Sequence, residues 1–97
     1  MIAVHVRYGF RAEDVDQALA CFSAIQTASR QEAGCIAYTV YRVDGDPTLF
    51  WLHEEWESPA HLEAHFTSPH FQRYSVGGLQ KIATIREITR GTPPPPQ

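Results

Sequence analysis

Apolar residues recur along the chain at two spacings, and each change of spacing marks a new element. A period of two opens the sequence and predicts a strand whose apolar face carries Ile2, Val4, Val6 and Tyr8. After Gly9 the apolar positions recur every three or four residues, which predicts an amphipathic helix over residues 12–32. Gly34 suits the end of that helix.

Three further strands are predicted beyond Gly34, because the period of two returns there. They cover residues 35–43, 48–57 and 82–90. The turn sequence D-G-D-P at residues 44–47 joins the first two and predicts an antiparallel hairpin.

Two short helices are predicted between the third and fourth strands. Ser58 and Ser68 each precede a proline. A serine at such a position accepts a hydrogen bond from a free amide, and proline at the first helical position presets φ. The two helices cover residues 59–66 and 69–79, and a glycine pair loosens the second one.

The predicted order β-α-β-β-α-β is that of an α+β ferredoxin-like sandwich, a four-stranded antiparallel sheet with helices on one face. We expect one domain over residues 1–91 and a Pro-rich, mobile tail over 92–97. The other face of the sheet stays uncovered, and Tyr41, Leu49 and Trp51 make it apolar. Because large exposed apolar faces are unusual on monomers, we expect a homodimer in which two such faces meet.

Composition and charge exclude several classes of partner. The net charge of −3, with scattered Lys and Arg, gives no electrostatic footprint for nucleic acid. No run approaches the roughly 20 apolar residues of a membrane helix, and the first residues lack the features of a signal peptide. Cys21 and Cys35 show no C-x-x-C spacing, so we expect free thiols in a reducing cytoplasm.

The candidate chemistry lies in residues 50–71, which hold both tryptophans and four of the five histidines. Within this stretch, E-W-E-S-P-A-H-L-E-A-H-F-T-S-P-H-F (Glu55 to Phe71) resembles the antibiotic biosynthesis monooxygenase family, most closely its bacterial quinol monooxygenase branch. Tyr74 and Ser75 follow at a distance familiar from that branch. Its E-x-G-C-x-x-Y pattern is matched by Glu32, Gly34, Cys35 and Tyr38.

The resemblance implies a dimeric α+β barrel that oxygenates quinols or aromatic polyketides with O2, using no metal, flavin or haem.

Two branches of the family fit less well. The haem-degrading branch uses an Asn on strand one and a Trp on the helix after strand three. This chain has no Asn, and that helical position falls at His65. The polyketide branch has an Asn four residues before the strand-three Trp, where Leu52 precedes Trp56 here.

A cofactor-free oxygenase needs an apolar pocket, a base that ionises a phenol or quinol, and donors that hold the resulting anion. Imidazole is a natural base because its pKa lies near neutral pH. His65 is the predicted catalytic base, since it lies beside Phe66 on the helix that packs over the sheet. The alternative is a half-buried histidine that hydrogen-bonds the backbone.

Aromatic rings and two more histidines are predicted to bind a flat aromatic substrate by stacking and polar contacts. The same rings would serve equally well as ordinary core. His70 would line the mouth of the pocket or bond a neighbouring loop, and His5 would point into the pocket or, preferably, the dimer seam. The substrate-binding candidates are Trp56, Tyr38, Phe66, Phe71, His70 and His5.

A metal site is not expected. His61 and His65 lie one helical turn apart, and Glu54 or His53 would be needed to complete a zinc site. However, the H-E-x-x-H spacing is absent and no cysteine cluster helps. The acidic residues within 54–57 are expected to form a solvated strand end that supplies one partner for an arginine.

The sequence therefore predicts a cytoplasmic homodimer that oxidises a small quinol or hydroxylated aromatic with O2 and no cofactor. Two alternatives come from other classes: a non-oxidative isomerase-like or hydrolase-like relative, and a small-ligand-binding stress protein without turnover. The cleft between sheet and helices tests the choice, because a cleft filled by Trp56 and Phe66 leaves no room for a substrate.

Overall fold

The computed structural model describes residues 1–96, and their four strands lie close to the predicted positions. The first and third strands show the alternation of buried and more exposed residues that a period of two predicts, whereas the second is mostly half-buried and the fourth is exposed over most of its length. The strands are β1 (Ile2–Phe10), β2 (Cys35–Arg42), β3 (Leu49–Trp56) and β4 (Ala83–Gly91).

The helices lie between the strands where the apolar spacing predicts them. A single 3-10 turn, Ala12–Asp14, leads into α1 (Val15–Ser29). The predicted helix over residues 12–32 is thus too long, because beyond Ser29 the backbone bonds tighten to three-residue steps, such as Glu32 N to Ser29 O. Later elements are α2 (Pro59–Phe66), a π-helix (Phe71–Leu79) and α3 (Gln80–Ile82).

Both predicted Ser-Pro helix starts are confirmed. Ser58 Oγ accepts a hydrogen bond of 3.3 Å from the amide of His61. Ser68 Oγ accepts one of 3.2 Å from the amide of Phe71 and donates one of 2.7 Å to the carbonyl of His65. Each serine therefore satisfies an amide that the following helix leaves free.

The second of these helices differs from the prediction, because most of it is a π-helix rather than an α-helix. It approaches α1 very closely at Gly78, where an added Cβ would lie 2.8 Å from Cys21 Sγ. A side chain at this position would require the Cys21 thiol to move. The glycine that was expected merely to loosen the helix thus sets how near it packs to α1.

All neighbouring strands are antiparallel, in the order β2-β3-β1-β4. The α+β ferredoxin-like fold is therefore confirmed. In this register Tyr8 lies opposite Phe50, and Tyr38 lies opposite Glu54. Helix α1 covers the face that these residues share, and its Phe22 packs against Tyr8 and Phe50 with ring centroids 5.4 and 5.3 Å apart. The core is this single layer between sheet and helices.

The opposite face of the sheet, which we call the open face, is uncovered in the single chain. Tyr41 and Trp51 stack on it with ring centroids 4.3 Å apart, and they are 43% and 38% exposed. His5 lies beside them, 2.7 Å from His53 between ring nitrogens. The open face is thus aromatic and histidine-rich at its centre, as the alternation predicts.

The Pro-rich segment after β4 forms neither helix nor strand over residues 92–96 and is exposed. The predicted mobile tail extends to Gln97, which lies outside the described residues, and the domain boundary at residue 91 stays a prediction. Within residues 1–96 no helix has both the length and the apolar character needed to cross a bilayer.

Candidate active site

A small cavity lies in the core layer between the sheet and the helices. Its walls are mainly apolar and aromatic, and its volume is about 40 Å³. Such a space holds a few water molecules at most, whereas an aromatic ring needs roughly 150 Å³. Among the predicted substrate-binding residues, those that line it are Tyr38, Phe66 and Phe71.

Glu54 lines this cavity and is only 5% exposed. The alternation of β3 places it on the same face as Leu52 and Trp56, which carries a charged group into the core. The pKa of Glu54 is raised to about 7, mainly by burial and to a smaller extent by the nearby Glu32. A hydrogen bond of 3.0 Å from Trp56 Nε1 and the charge of Arg86 act in the opposite direction. The expectation of a solvated strand end was therefore wrong for Glu54.

His65 lies behind the cavity wall, between two carboxylates. Its Nδ1–H donates a hydrogen bond of 2.6 Å to Glu32 Oε2, and its Nε2 lies 3.7 Å from Glu54 Oε1. The side chain is 1% exposed, and its ring packs on that of Trp56 with centroids 4.6 Å apart. His65 thus hydrogen-bonds another side chain, which departs from the alternative of a histidine held by the backbone.

Burial lowers the pKa of His65, and the carboxylate of Glu32 only partly opposes this effect. The imidazole is therefore neutral at pH 7. Because Nδ1 carries the ring proton toward Glu32, Nε2 presents its lone pair toward Glu54. One acid and one base thus face each other beside the cavity.

His70 reaches the same carboxylate from the start of the π-helix. Its Nε2–H donates a hydrogen bond of 2.8 Å to Glu32 Oε2, the oxygen that His65 also contacts. His70 therefore bonds the loop after α1, one of its two predicted roles. The role of Glu32 was missed, although the E-x-G-C-x-x-Y pattern includes it.

Three other histidines and one tryptophan lie apart from the cavity. Trp56 is fully buried but packs on His65 behind the cavity wall. His5 lies on the open face with His53, so the sheet separates it from the cavity. His61 Nδ1 lies 2.7 Å from Ser58 Oγ, and His61 does not belong to the group of possible ligand atoms around His65.

Two arginines of β4, Arg86 and Arg90, also line the cavity. They share the helix-facing side of the sheet with Ile88, which is 50% exposed where the helices leave β4 uncovered. Arg86 Nε donates a long hydrogen bond of 3.4 Å to Tyr8 Oη. Neither arginine was predicted to line the site, because alternation alone does not reveal where the helical cover ends.

Comparison with known proteins gives one family. The family model described as antibiotic biosynthesis monooxygenase matches residues 1–76. A crystal structure of an antibiotic biosynthesis monooxygenase superposes with a TM-score of 0.90 at 25% identity, covering 98% of this chain and 100% of that one. Rv0793 from Mycobacterium tuberculosis superposes with a TM-score of 0.84 at 30% identity, covering 98% and 96%.

A sequence relative is the uncharacterized protein sll1783 of Synechocystis sp., which is 37% identical over 60 residues. That match covers 62% of this chain but 41% of the Synechocystis protein. The chain thus spans less than half of that relative.

Proposed function

Because this chain belongs to the antibiotic biosynthesis monooxygenase family, we propose that it oxidises a small quinol or hydroxylated aromatic compound with O2 and needs no resident metal, flavin or haem. One observation carries the proposal. Glu54 is a buried carboxyl group in the wall of an apolar cavity, and it faces the neutral imidazole of His65. This is the combination of apolar space and proton acceptor that ionisation of a quinol requires.

The quinol itself supplies the electrons. Loss of a phenolic proton gives a quinolate, which transfers one electron to O2, and the resulting radical pair forms a C–O bond at a ring carbon. The hydroperoxide then loses water. A quinol and one O2 thus give a hydroxyquinone and one water, with one atom of O2 in each product. The protein removes the first proton and returns one to the leaving oxygen.

Glu54 is the group that contacts the substrate in this proposal. Its pKa of about 7 suits a general base that works near neutral pH. His65 Nε2, 3.7 Å away, receives the proton from Glu54, and Glu32 stabilises the imidazolium that forms. The sequence pointed to His65 as the base; we assign it the role of a positioning residue that acts through Glu54.

A substrate needs more room than about 40 Å³, so its entry requires movement of the cavity roof. Phe66, Phe71 and Leu79 form part of that roof. The last two belong to the π-helix, and π-helical turns occur frequently at functional sites. Displacement of this segment opens the cavity toward the uncovered side of β4, where Arg86 and Arg90 lie ready to hold an anion.

The proposal includes a homodimer built through the open face. The stacked pair Tyr41 and Trp51 lies at its centre, and both of these large rings are exposed in the single chain. A two-fold axis through this face would bury both pairs at once. The cavities lie on the opposite side of each sheet, so the two sites would remain separate.

Oxygen uptake with a panel of quinols, in the presence of a chelator, tests the function. We expect uptake above the rate of the protein-free control, one O2 per quinol, no release of H2O2, and one atom of 18O from labelled O2 in the hydroxyquinone. Release of H2O2 without label in the product would contradict a monooxygenase. Binding of quinols without any uptake would favour the ligand-binding alternative.

A further inference from the structure

We propose that Glu32, His65 and His70 form a binding site for a divalent transition-metal cation of the zinc class. One ligand atom of each residue lies within 4.8 Å of the other two, and this is the one such group in residues 1–96. Two imidazoles and one carboxylate, with further positions open, make a familiar ligand set for Zn²⁺. Of these ligands only His65 belongs to the zinc site that the spacing of His61 and His65 suggested.

Two of the distances between the ligand atoms are somewhat shorter than those that a bound ion imposes. Glu32 Oε2 lies 2.6 Å from His65 Nδ1 and 2.8 Å from His70 Nε2. An ion about 2.1 Å from each of two tetrahedral ligands holds them about 3.4 Å apart. Withdrawal of the carboxylate by about 0.6–0.8 Å therefore admits Zn²⁺ in place of the two hydrogen-bonding protons.

The surroundings of His65 support the same assignment. A histidine that binds metal through one ring nitrogen usually has a carboxylate near the other, which orients the ring. Here Glu54 Oε1 lies 3.7 Å from Nε2, and Trp56 packs on the ring while its indole holds Glu54. His65 is thus already fixed in the orientation that a ligand needs.

The site is accessible from one side. Glu32 and His70 are partly exposed, whereas His65 is fully buried, so an ion enters past the first two residues and meets the third. Imidazole nitrogens favour Zn²⁺ and similar ions over Mg²⁺ and Ca²⁺, which prefer oxygen ligands. We therefore expect zinc to bind and magnesium not to compete.

Occupation of the site would inhibit the reaction, and this consequence alone rests on the proposed function. With an ion on Nδ1, the neutral ring carries its proton on Nε2. That nitrogen then cannot accept a proton from Glu54. Zinc is expected to lower the rate of oxygen uptake, and a chelator is expected to restore it.

Calorimetric titration of the chelator-stripped full chain with Zn²⁺ tests binding directly. We expect one Zn²⁺ per chain, and a loss of affinity of more than about 100-fold in Glu32→Gln and in His70→Gln. His53→Gln removes a histidine from the open face, and Cys35→Ser removes a thiol. Both are matched controls and should keep the wild-type affinity.

Absence of binding would overturn the proposal, and so would unchanged affinity in both Glu32→Gln and His70→Gln, or loss of affinity in His53→Gln. Circular dichroism of each variant excludes misfolding as the cause. The Co²⁺ complex should show the visible bands of nitrogen and oxygen ligands without a thiolate band. If zinc binds but no quinol supports uptake without zinc, the site stands and the proposed function fails.

Discussion

The indole nitrogen of Trp56 donates a 3.0 Å hydrogen bond to Glu54, two residues earlier on the same strand. Residues two apart on a strand share a face, so both side chains lie in the core layer. The orientation of the Glu54 carboxyl group is therefore fixed by β3 itself rather than by a loop. Glu54 is held toward the cavity and toward His65 by the sheet.

Trp56→Phe keeps an aromatic ring but removes the donor to Glu54. Since that hydrogen bond favours the ionised carboxylate, its loss should raise the pKa of Glu54 above about 7. We expect the free energy of unfolding, measured where Glu54 is ionised, to fall by about 1–3 kcal/mol. Carboxyl-carbon NMR titration and urea denaturation measure the two effects. Trp51→Phe on the open face is the control, and an unshifted titration in Trp56→Phe would contradict the assignment.

Glu54 should make the stability of the protein depend on pH. Its pKa is raised from 4.5 to about 7 on folding, so the folded state disfavours the ionised form. The stability contribution is fully present below pH 4.5 and is lost as the pH rises through about 7. The total loss is about 3 kcal/mol.

The Glu54→Gln variant isolates this effect. The free energy of unfolding should be measured for wild type and variant from below pH 4.5 to above pH 7. Over this range we expect the wild type to lose about 3 kcal/mol of stability relative to Glu54→Gln. Glu55→Gln, one residue along the strand, is the matched control and should follow the wild type. Equal pH dependence in wild type and Glu54→Gln would refute the raised pKa.

Oxygen uptake should rise with pH through about 7, because the proposed base must be ionised to accept a proton. Glu54→Gln should lose this rising limb and lower kcat by about 10²–10⁴-fold. His65→Gln should lower kcat while leaving KM nearly unchanged, since His65 acts behind the cavity wall. Retention of the full rate by Glu54→Gln would rule out its role, and Glu55→Gln serves again as control.

The proposed dimer can be broken at the centre of the open face. Trp51→Glu places a charge where the two faces would meet, so we expect it to halve the mass measured by sedimentation equilibrium. Val76→Glu adds the same charge at another exposed apolar position, on the π-helix, and should leave the mass unchanged. A wild-type protein that sediments as a monomer would contradict the dimer.

The order of elements was predictable because two periods, near two and near 3.6, alternate cleanly along the chain. The π-helix was not, since the few apolar residues of Phe71–Leu79 indicate a helix without specifying the spacing of its hydrogen bonds. The period also placed Glu54 on the face of Phe50 and Leu52. Because Glu54 is charged, it was predicted to be solvent-exposed, but in the structure it is buried.

The histidine cluster could be predicted only in part. His65 was identified from its place on α2, but its partner Glu32 lies 33 residues away along the chain, and His70 lies 38 residues from Glu32. Such pairs depend on how the loop after α1 meets the later helices. Residue spacing along the chain does not show how these segments pack together. Only the structure therefore shows that His65 and His70 share the carboxylate of Glu32.

One oxygen atom of Glu32 ties together the loop after α1, helix α2 and the start of the π-helix. If the π-helix moves to admit a substrate, this movement pulls His70 away from Glu32 Oε2. The carboxylate then has one hydrogen-bonding partner in place of two and is freer to balance a positive charge on His65. Opening of the cavity and stabilisation of the protonated His65 by Glu32 would thus occur together.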